Sequence, residues 1–197
     1  MKTKRVVAMT LVVLLLLPIL AGCKPCYEYD PKNIRISKGM KTDVCKLGSP
    51  ITIEETVAEG WDEDGKAIME AIVRDVEGAG VTDGMLQVDA IRLINDYLCE
   101  KVVYTENKYC RTPRGPFLLR QAVCVGYSLS FLYIAQYCGI NAVYVHGFTK
   151  TSAHGWNGVY FSDGSYFEVD VTMNDTSGDR DKYLLLSPEK MEELHFA

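Results

Sequence analysis

Residues 122–140, AVCVGYSLSFLYIAQYCGI, carry no charged side chain and are apolar almost all round a helical wheel. A helix without a polar face is stable only when other elements surround it. This stretch is therefore expected to be the central buried helix, with Gly139 as its C-terminal stop. The chain has 197 residues, enough for one domain with a sizeable core, and its 48% hydrophobic content argues against disorder. Two cysteines lie in the run. Cys138 reads as core, whereas Cys124 stands at the head of the helix, just before Gly126 and Tyr127.

The flanking sequence supplies the cover. Ile68, Met69, Ile72, Val73 and Val76 recur at helical spacing after Asp62, with Asp62 or Asp64 as the expected cap. EGAGVTDG breaks that helix, and Thr82 or Asp83 is expected to cap a second one running to about Lys101. In the second helix Leu86, Ala90, Leu93, Ile94, Tyr97 and Leu98 form an apolar arc opposite Asp89, Arg92, Asp96 and Glu100. ENKYCRTPRGP reads as a loop, broken by Pro113, Gly115 and Pro116. After Ile140 the period changes to two, and NAVYVHGF, HGWNGVYF and SYFEVDVT read as three strands. SPEKMEELHF closes the chain as a short helix, with Ser187 as cap and Pro188 at its first position. Helices first, an antiparallel sheet after, and one buried helix between them make an α+β fold.

The N-terminus is a targeting segment. Lys2, Lys4 and Arg5 precede the apolar VVAMTLVVLLLLPIL, which ends in LAGC. These last residues resemble the lipobox of bacterial lipoproteins, in which the cysteine, here Cys23, is lipidated and becomes the mature N-terminus. The expected organisation is a lipoprotein signal peptide over 1–22, a tether with an irregular segment over 23–60, and a domain over 61–197. The location implied is the bacterial cell membrane, on its extracytoplasmic face, with membrane contact through lipid. Losing three basic residues takes the formal charge from −5 to −8. An acidic surface without a basic stripe argues against nucleic acid as a partner. Of the seven cysteines, Cys23 is assigned to lipid and Cys124 is read as a free thiol. Cys26 with Cys45 and Cys99 with Cys110 are the economical disulfides, leaving Cys138. No free pair has zinc-knuckle spacing, and no metal is expected.

The chemistry rests on Cys124, His154 and Asp170. A thiol is a poor nucleophile until it ionises, and a helix start and a neighbouring imidazolium both stabilise the thiolate. The imidazole needs an acceptor to fix its tautomer. Of the three histidines, His154 opens the HGWN strand, His146 ends the preceding strand and could lie near the site, and His195 reads as surface. Asp170 sits in EVDVT. Two hairpin registers are open. A two-residue Asp163–Gly164 loop places Asn157 opposite Asp170, and His154 and Asp170 then project from opposite faces. A three-residue Ser162–Asp163–Gly164 loop with Gly164 left-handed pairs Phe161 with Ser165 and sets Trp156 opposite Asp170. His154 then lies diagonally beside Asp170, while Val159, Phe161, Phe167, Val169 and Val171 gather on the other face. The second register satisfies both core and chemistry and is the expectation.

The motifs VCVGYS, GI after the buried helix, HGWN and EVDVTMND, with AIRLINDYLCEKVVYT upstream, resemble the transglutaminase-like superfamily in its bacterial form. The resemblance spans roughly residues 84 to 175. It implies a papain-like core and a thiol nucleophile that attacks an amide or ester carbonyl of a protein or peptide. An acyl-enzyme follows, then transfer to an amine or to water. By position Cys124 is the nucleophile, His154 the base and Asp170 the orienting acid. Gln121, Tyr127, Trp156 and Asn157 are further candidates for substrate or oxyanion contacts. The Cys124 N–H is one natural oxyanion donor, and the second is left open. Met173 stands where bacterial members often carry tryptophan. No cofactor is implied, and a monomer is expected. The alternative class is an inactive domain that uses the same cleft to bind a polypeptide at the cell surface.

Overall fold

The computed structural model describes residues 37–52 and 61–197. The signal segment, Cys23 and Cys26 lie outside these residues, as does most of the expected tether. Helix α4, Cys124–Tyr137, has every residue from Gly126 to Ala135 buried, as an all-round apolar helix requires. The hydroxyls of Ser128 and Ser130 are satisfied inside the fold by backbone carbonyls, including Cys124 and Tyr127 of α4 itself. One side of α4 is covered by α2, Trp61–Ala79, and α3, Gln87–Lys101. The other side rests on a four-stranded antiparallel sheet. Its strands are β3 Asn141–Phe148, β4 Ala153–Tyr160, β5 Tyr166–Val169 and β6 Leu184–Leu186, in that spatial order. The short α5, Val171–Ser177, links β5 to β6, and α6, Pro188–Phe196, ends the chain. On the sheet face away from α4, Met191 of α6 packs with Trp156, Tyr183 and Leu186 in a second, smaller cluster.

The hairpin between β4 and β5 adopts the three-residue register. Asn157 pairs with Val169 and Tyr160 with Tyr166. Phe161 N–H donates to Ser165 at 3.0 Å, and Gly164 has φ +82°. Val159, Phe161, Phe167, Val169 and Val171 are all buried in the main core. The sheet differs from the reading of three strands in two ways. Leu184–Leu186 adds a fourth, too short to show alternation. The strand expected over 165–172 stops at Val169, and Asp170 becomes the N-cap of α5, its carboxylate accepting from Met173 N–H.

The helix starts also differ. Leu86 precedes α3 without a side-chain cap. Thr82 and Asp83 lie in the turn before it, where Asp83 accepts from Leu47 N–H. Helix α2 begins at Trp61, so Asp62 and Asp64 lie within its first turn, and Asp64 pairs with Arg114 at 2.8 Å. On α3 the buried stripe includes Ile91 and Asn95, while Leu93 and Tyr97 are only half-buried. The expected loop, ENKYCRTPRGP, is flanked by a parallel ladder of β1, Val103–Tyr104, with β2, Gln121–Ala122, and runs into a wide helical turn over Gly115–Leu119.

Residues 37–52, expected to belong to the irregular segment before the domain, pack against it. They form helix α1, Lys38–Thr42, capped by Ser37, and they place Met40 and Cys45 in the main core. Asp43 accepts from Ser162 N–H, and Asp163 accepts from Gly39 N–H, which ties this segment to the β4–β5 turn. The cysteine pairing is corrected as well. Cys45, Cys99 and Cys110 are buried free thiols, as is Cys138, so neither proposed disulfide is present at these residues.

The turn that fixes the register gives a direct test. A Cβ at Gly164 meets nothing within 4 Å, so alanine there changes only the backbone preference. Left-handed backbone costs an L-residue roughly 1–2 kcal/mol. Gly164→Ala is expected to lower the unfolding free energy by about 1 kcal/mol in urea titration, with an unchanged m-value.

Candidate active site

Cys124 is the first residue of α4 and is half-buried. The preceding Val123 offers no side-chain cap, so the positive end of the helix is left to the thiol and whatever binds beside it. Three features hold this end in place. Gly126 lets the Cys110 carbonyl approach, where a Cβ would collide with it and with Ala122, and that carbonyl accepts from Val123 N–H at 3.2 Å. Ser128 Oγ donates to Gly155 C=O at 2.8 Å, and Asn157 Nδ2 donates to Ser128 C=O at 3.1 Å, locking the first turns of α4 to β4. Upstream, Arg120 takes a left-handed conformation, φ 58°, and makes a two-nitrogen pair with the fully buried Asp75 of α2 at 2.6 and 2.7 Å. This pair sets the path by which the chain enters β2 and α4.

His154 stands at the start of β4, and its Nε2 lies 2.7 Å from Asp170 Oδ2. Asp170 has no exposed surface. That engagement leaves Nδ1 as the free ring nitrogen of His154, and the imidazole is near enough to Cys124 to lower the pKa of its thiol. Trp156 lies nearly parallel to the His154 ring at 6.0 Å and forms its wall. Gly147 admits that indole, since a Cβ would meet its six-membered ring. Gly155 in turn admits the Tyr144 ring, which lies near the thiol.

The electrostatics of the three side chains are complementary. Burial opposes ionisation of Cys124, but the hydrogen bond and charge of His154, with the N–H groups of Gly155 and Val125, bring its pKa below the ordinary thiol value. Burial likewise opposes protonation of His154, yet the bonds to Asp170 and Cys124 hold its pKa up to about 9. Burial would raise Asp170, but the hydrogen bonds from His154 and His195 lower it. The shifts favour ionising the thiol and protonating the imidazole, with the buried carboxylate bracing the ring.

His195 is where the sequence reading departs most from the fold. Expected on the surface, it is 4% exposed, and its Nε2 lies 2.9 Å from the same Asp170 Oδ2. Helical periodicity in SPEKMEELHF places His195 one turn after Met191, the buried residue of α6, and this was the available signal. His146 is exposed on β3, where it pairs with Gly155 and its ring lies near Phe148. Of the further candidates, Tyr127 is fully buried and its hydroxyl bonds Val102 C=O and Asp175, at 2.9 and 2.6 Å. Asn157 is fully buried and braces α4 to the sheet. Trp156 is 9% exposed and donates its indole N–H to Glu168. These three support the site from within the fold. Gln121 is exposed, with its carbonyl accepting from Asn107. Met173 packs on the Trp156 cluster and lines a cavity of about 410 Å³ that also touches His154, His195, Tyr104 and Lys150.

His154, Asp170 and His195 place three donor atoms within 4.8 Å of one another, among the described residues. Their N···O separations of 2.7 and 2.9 Å are hydrogen-bond lengths. Ligands of a tetrahedral zinc stand about 3.3 Å apart, given bonds of about 2.0 Å. The arrangement is that of a proton-linked carboxylate rather than of a metal cage.

No curated protein matches the chain. Among solved structures the chain is similar to a TGase, with 16% identity, a TM-score of 0.46, and coverage of 62% of this chain and 34% of the other. It is also similar to a candidate cysteine protease from Cytophaga hutchinsonii, with 15% identity, a TM-score of 0.44, and coverage of 64% and 46%. A third is the periplasmic domain of TgpA from Pseudomonas aeruginosa, with 16% identity, a TM-score of 0.39, and coverage of 58% and 46%. The chain thus spans about a third to a half of the length of these structures. The model of the transglutaminase-like superfamily core matches residues 72–171, half of the chain, from the middle of α2 through Asp170. With its α+β fold, the chain belongs to the transglutaminase-like superfamily, whose members are generally cysteine-dependent enzymes.

Proposed function

We propose that the protein is a thiol enzyme that cleaves or transfers acyl groups of proteins or peptides, with Cys124 as nucleophile, His154 as acid–base and Asp170 as orienting acid. The observation that carries this reading is the buried Asp170 carboxylate bonded to His154, with the Cys124 thiol nearby at an uncapped helix start, its pKa lowered by that imidazole. The thiolate attacks the carbonyl carbon, and the oxyanion forms within reach of the uncapped N–H groups that begin α4, Cys124 N–H first among them. His154 gives its proton to the leaving amine as the tetrahedral species collapses to a thioester. A water or amine then attacks the thioester, with neutral His154 taking its proton, and the thiolate returns. The half-buried thiol and the half-exposed Tyr104 beside it leave water a path to the acyl-enzyme, which supports hydrolysis over transfer. The leader ending in LAGC supports a mature chain anchored by lipid at Cys23 on the extracytoplasmic face. Among the described residues no helix is long and apolar enough to cross a membrane.

The pKa directions fix the expected pH dependence. The pKa of Cys124 is lowered, so its alkylation by iodoacetamide, followed by mass spectrometry, is expected to stay fast at pH values where a free cysteine slows. In His154→Ala only burial and the N–H groups act on the thiol, and the alkylation limb is expected to move to the ordinary thiol pKa of about 8.5 or above. An identical limb in both proteins overturns the pairing. Turnover requires a protonated His154 for the leaving group, so it is expected to decline as pH rises through about 9.

Acylation gives the second test. Incubation with activated peptide esters and peptide amides is expected to add the acyl mass to Cys124, and added methylamine reports the share of transfer against hydrolysis. Cys124→Ala and His154→Ala are expected to lower turnover by about 10³-fold or more, and Asp170→Asn by about 10²–10⁴-fold. A reactive Cys124 that never acylates across a broad peptide and ester set turns the reading to a binding module.

A further inference from the structure

Asp170 has two histidine partners, and the reading of Cys124, His154 and Asp170 uses only one. We propose that His195 is a positioning residue: it donates its Nε2–H to Asp170 Oδ2 and so holds the carboxylate against His154, making the C-terminal helix α6 part of the active centre. This rests on the function proposed above. His195 lies beyond residue 171, where the superfamily match ends.

Three observations carry the inference. The first is geometry. His195 Nε2 lies 2.9 Å from Asp170 Oδ2, the oxygen that His154 meets at 2.7 Å, and Met173 N–H occupies Oδ1 at 3.0 Å. Asp170 therefore has no donor to spare and no water at its surface, and the loss of one donor cannot be made good by solvent. The second is the cage around His195. Tyr183 stacks on the ring at 5.9 Å and 22°, the Trp156 ring meets it nearly edge-on at 4.7 Å, and its own carbonyl accepts from Lys150 N–H at 3.0 Å. A surface histidine needs none of these. The third is the chemistry of the pair. An ionised carboxylate accepts only, so both imidazoles must present N–H to it, which fixes the Nε2–H tautomer of each and turns Nδ1 of His154 toward Cys124. The ionisable groups around His195 are Asp170 and His154 in direct contact with it or its partner, Glu168 and Tyr183 on the sheet side, and Lys150 and Lys182 on the rim of the shared cavity.

His195 shares the hydrogen-bonding capacity of Asp170. Without it, the carboxylate has one donor fewer and holds the proton on His154 more tightly.

The test compares the full chain with His195→Phe, which fills the ring space without a donor, and His195→Gln, whose amide nitrogen reaches the Nε2 position. Cys124 alkylation and peptide-ester turnover are followed from pH 5 to 10 in each. His195→Phe is expected to move the upper limb of turnover upward by about half a pH unit or more and to lower its plateau about 10-fold. His195→Gln is expected to retain the wild-type limb. Should the phenylalanine variant fail to fold, His195→Asn, which is polar but places its amide at the Nδ1 position, carries the same comparison. If a folded donor-free variant shows both limbs in place and only a lower Tm, His195 is a packing residue and the proposal falls while the Cys124 reading stands. If the wild-type thiol itself titrates as a free cysteine, both fall together.

Discussion

A carboxylate with no exposed surface governs how the functional half of this protein is put together. An isolated ionised group in a dry interior costs several kcal/mol, so Asp170 must be met on both oxygens or lose its charge. The donors come from three separate places in the chain: His154 at the start of β4, the Met173 N–H at the start of α5, and His195 near the end of α6. None is a sequence neighbour of another. Each therefore constrains a different element, and satisfying one buried charge fixes the strand register, the point where β5 ends and the seat of the C-terminal helix.

The register shows how closely these requirements interlock. The turn over Ser162–Gly164 sets Phe161 opposite Ser165, and the alternation of β4 and β5 then divides the side chains between two faces. Val159, Phe167 and Val169 go to the core around α4, and His154, Trp156 and Glu168 go to the opposite side. A slip of one residue would bury His154 under α4 and expose the apolar set. The hydrophobic effect and the buried charge thus select the same register. Asp43 and Asp163 pin the turn to residues 37–43, so a segment remote from the site helps to hold its geometry.

Much of this was legible because it follows from periodicity and sterics. The lack of any polar face over 122–140 marked α4 as central, alternation marked β3 and β4, and the competing face requirements of His154 and Val159 decided the hairpin. What escaped is of another kind. His195 is one polar residue near the end of an amphipathic helix, and nothing local says that a buried carboxylate waits beneath it. Asp170 was read within a strand because VDVT alternates, but an aspartate that caps a helix wins over that pattern by accepting a backbone N–H. Thr82 and Asp83 have the chemistry of caps, yet tertiary contact with Leu47 takes Asp83 elsewhere. The cysteine pairs assumed that closeness in sequence means closeness in space. Cys99 faces the Val171 carbonyl from α3, while the Cys110 carbonyl lies over Gly126, and the two thiols are separately buried.

The thiol and the acid are stabilised by opposite means, and this explains why the site spans two kinds of element. Cys124 needs positive potential without a permanent cation, since a fixed charge would hold the product carboxylate as firmly as the transition state. In the proposed reaction an uncapped helix start supplies partial charge through N–H groups that stay in place, and a mobile proton on His154 supplies the rest. Asp170 needs the reverse: fixed donors, one of which can pass its proton away and return. A helix end cannot provide that, but a strand can, because it presents an imidazole bonded to the carboxylate through Nε2 and near the thiol. The half-buried thiol, the 7% exposed imidazole and the fully buried carboxylate then form a gradient from water to core along the proton's path. In the proposed reaction, charge moves along that gradient only between the outer two groups, while the innermost stays ionised throughout.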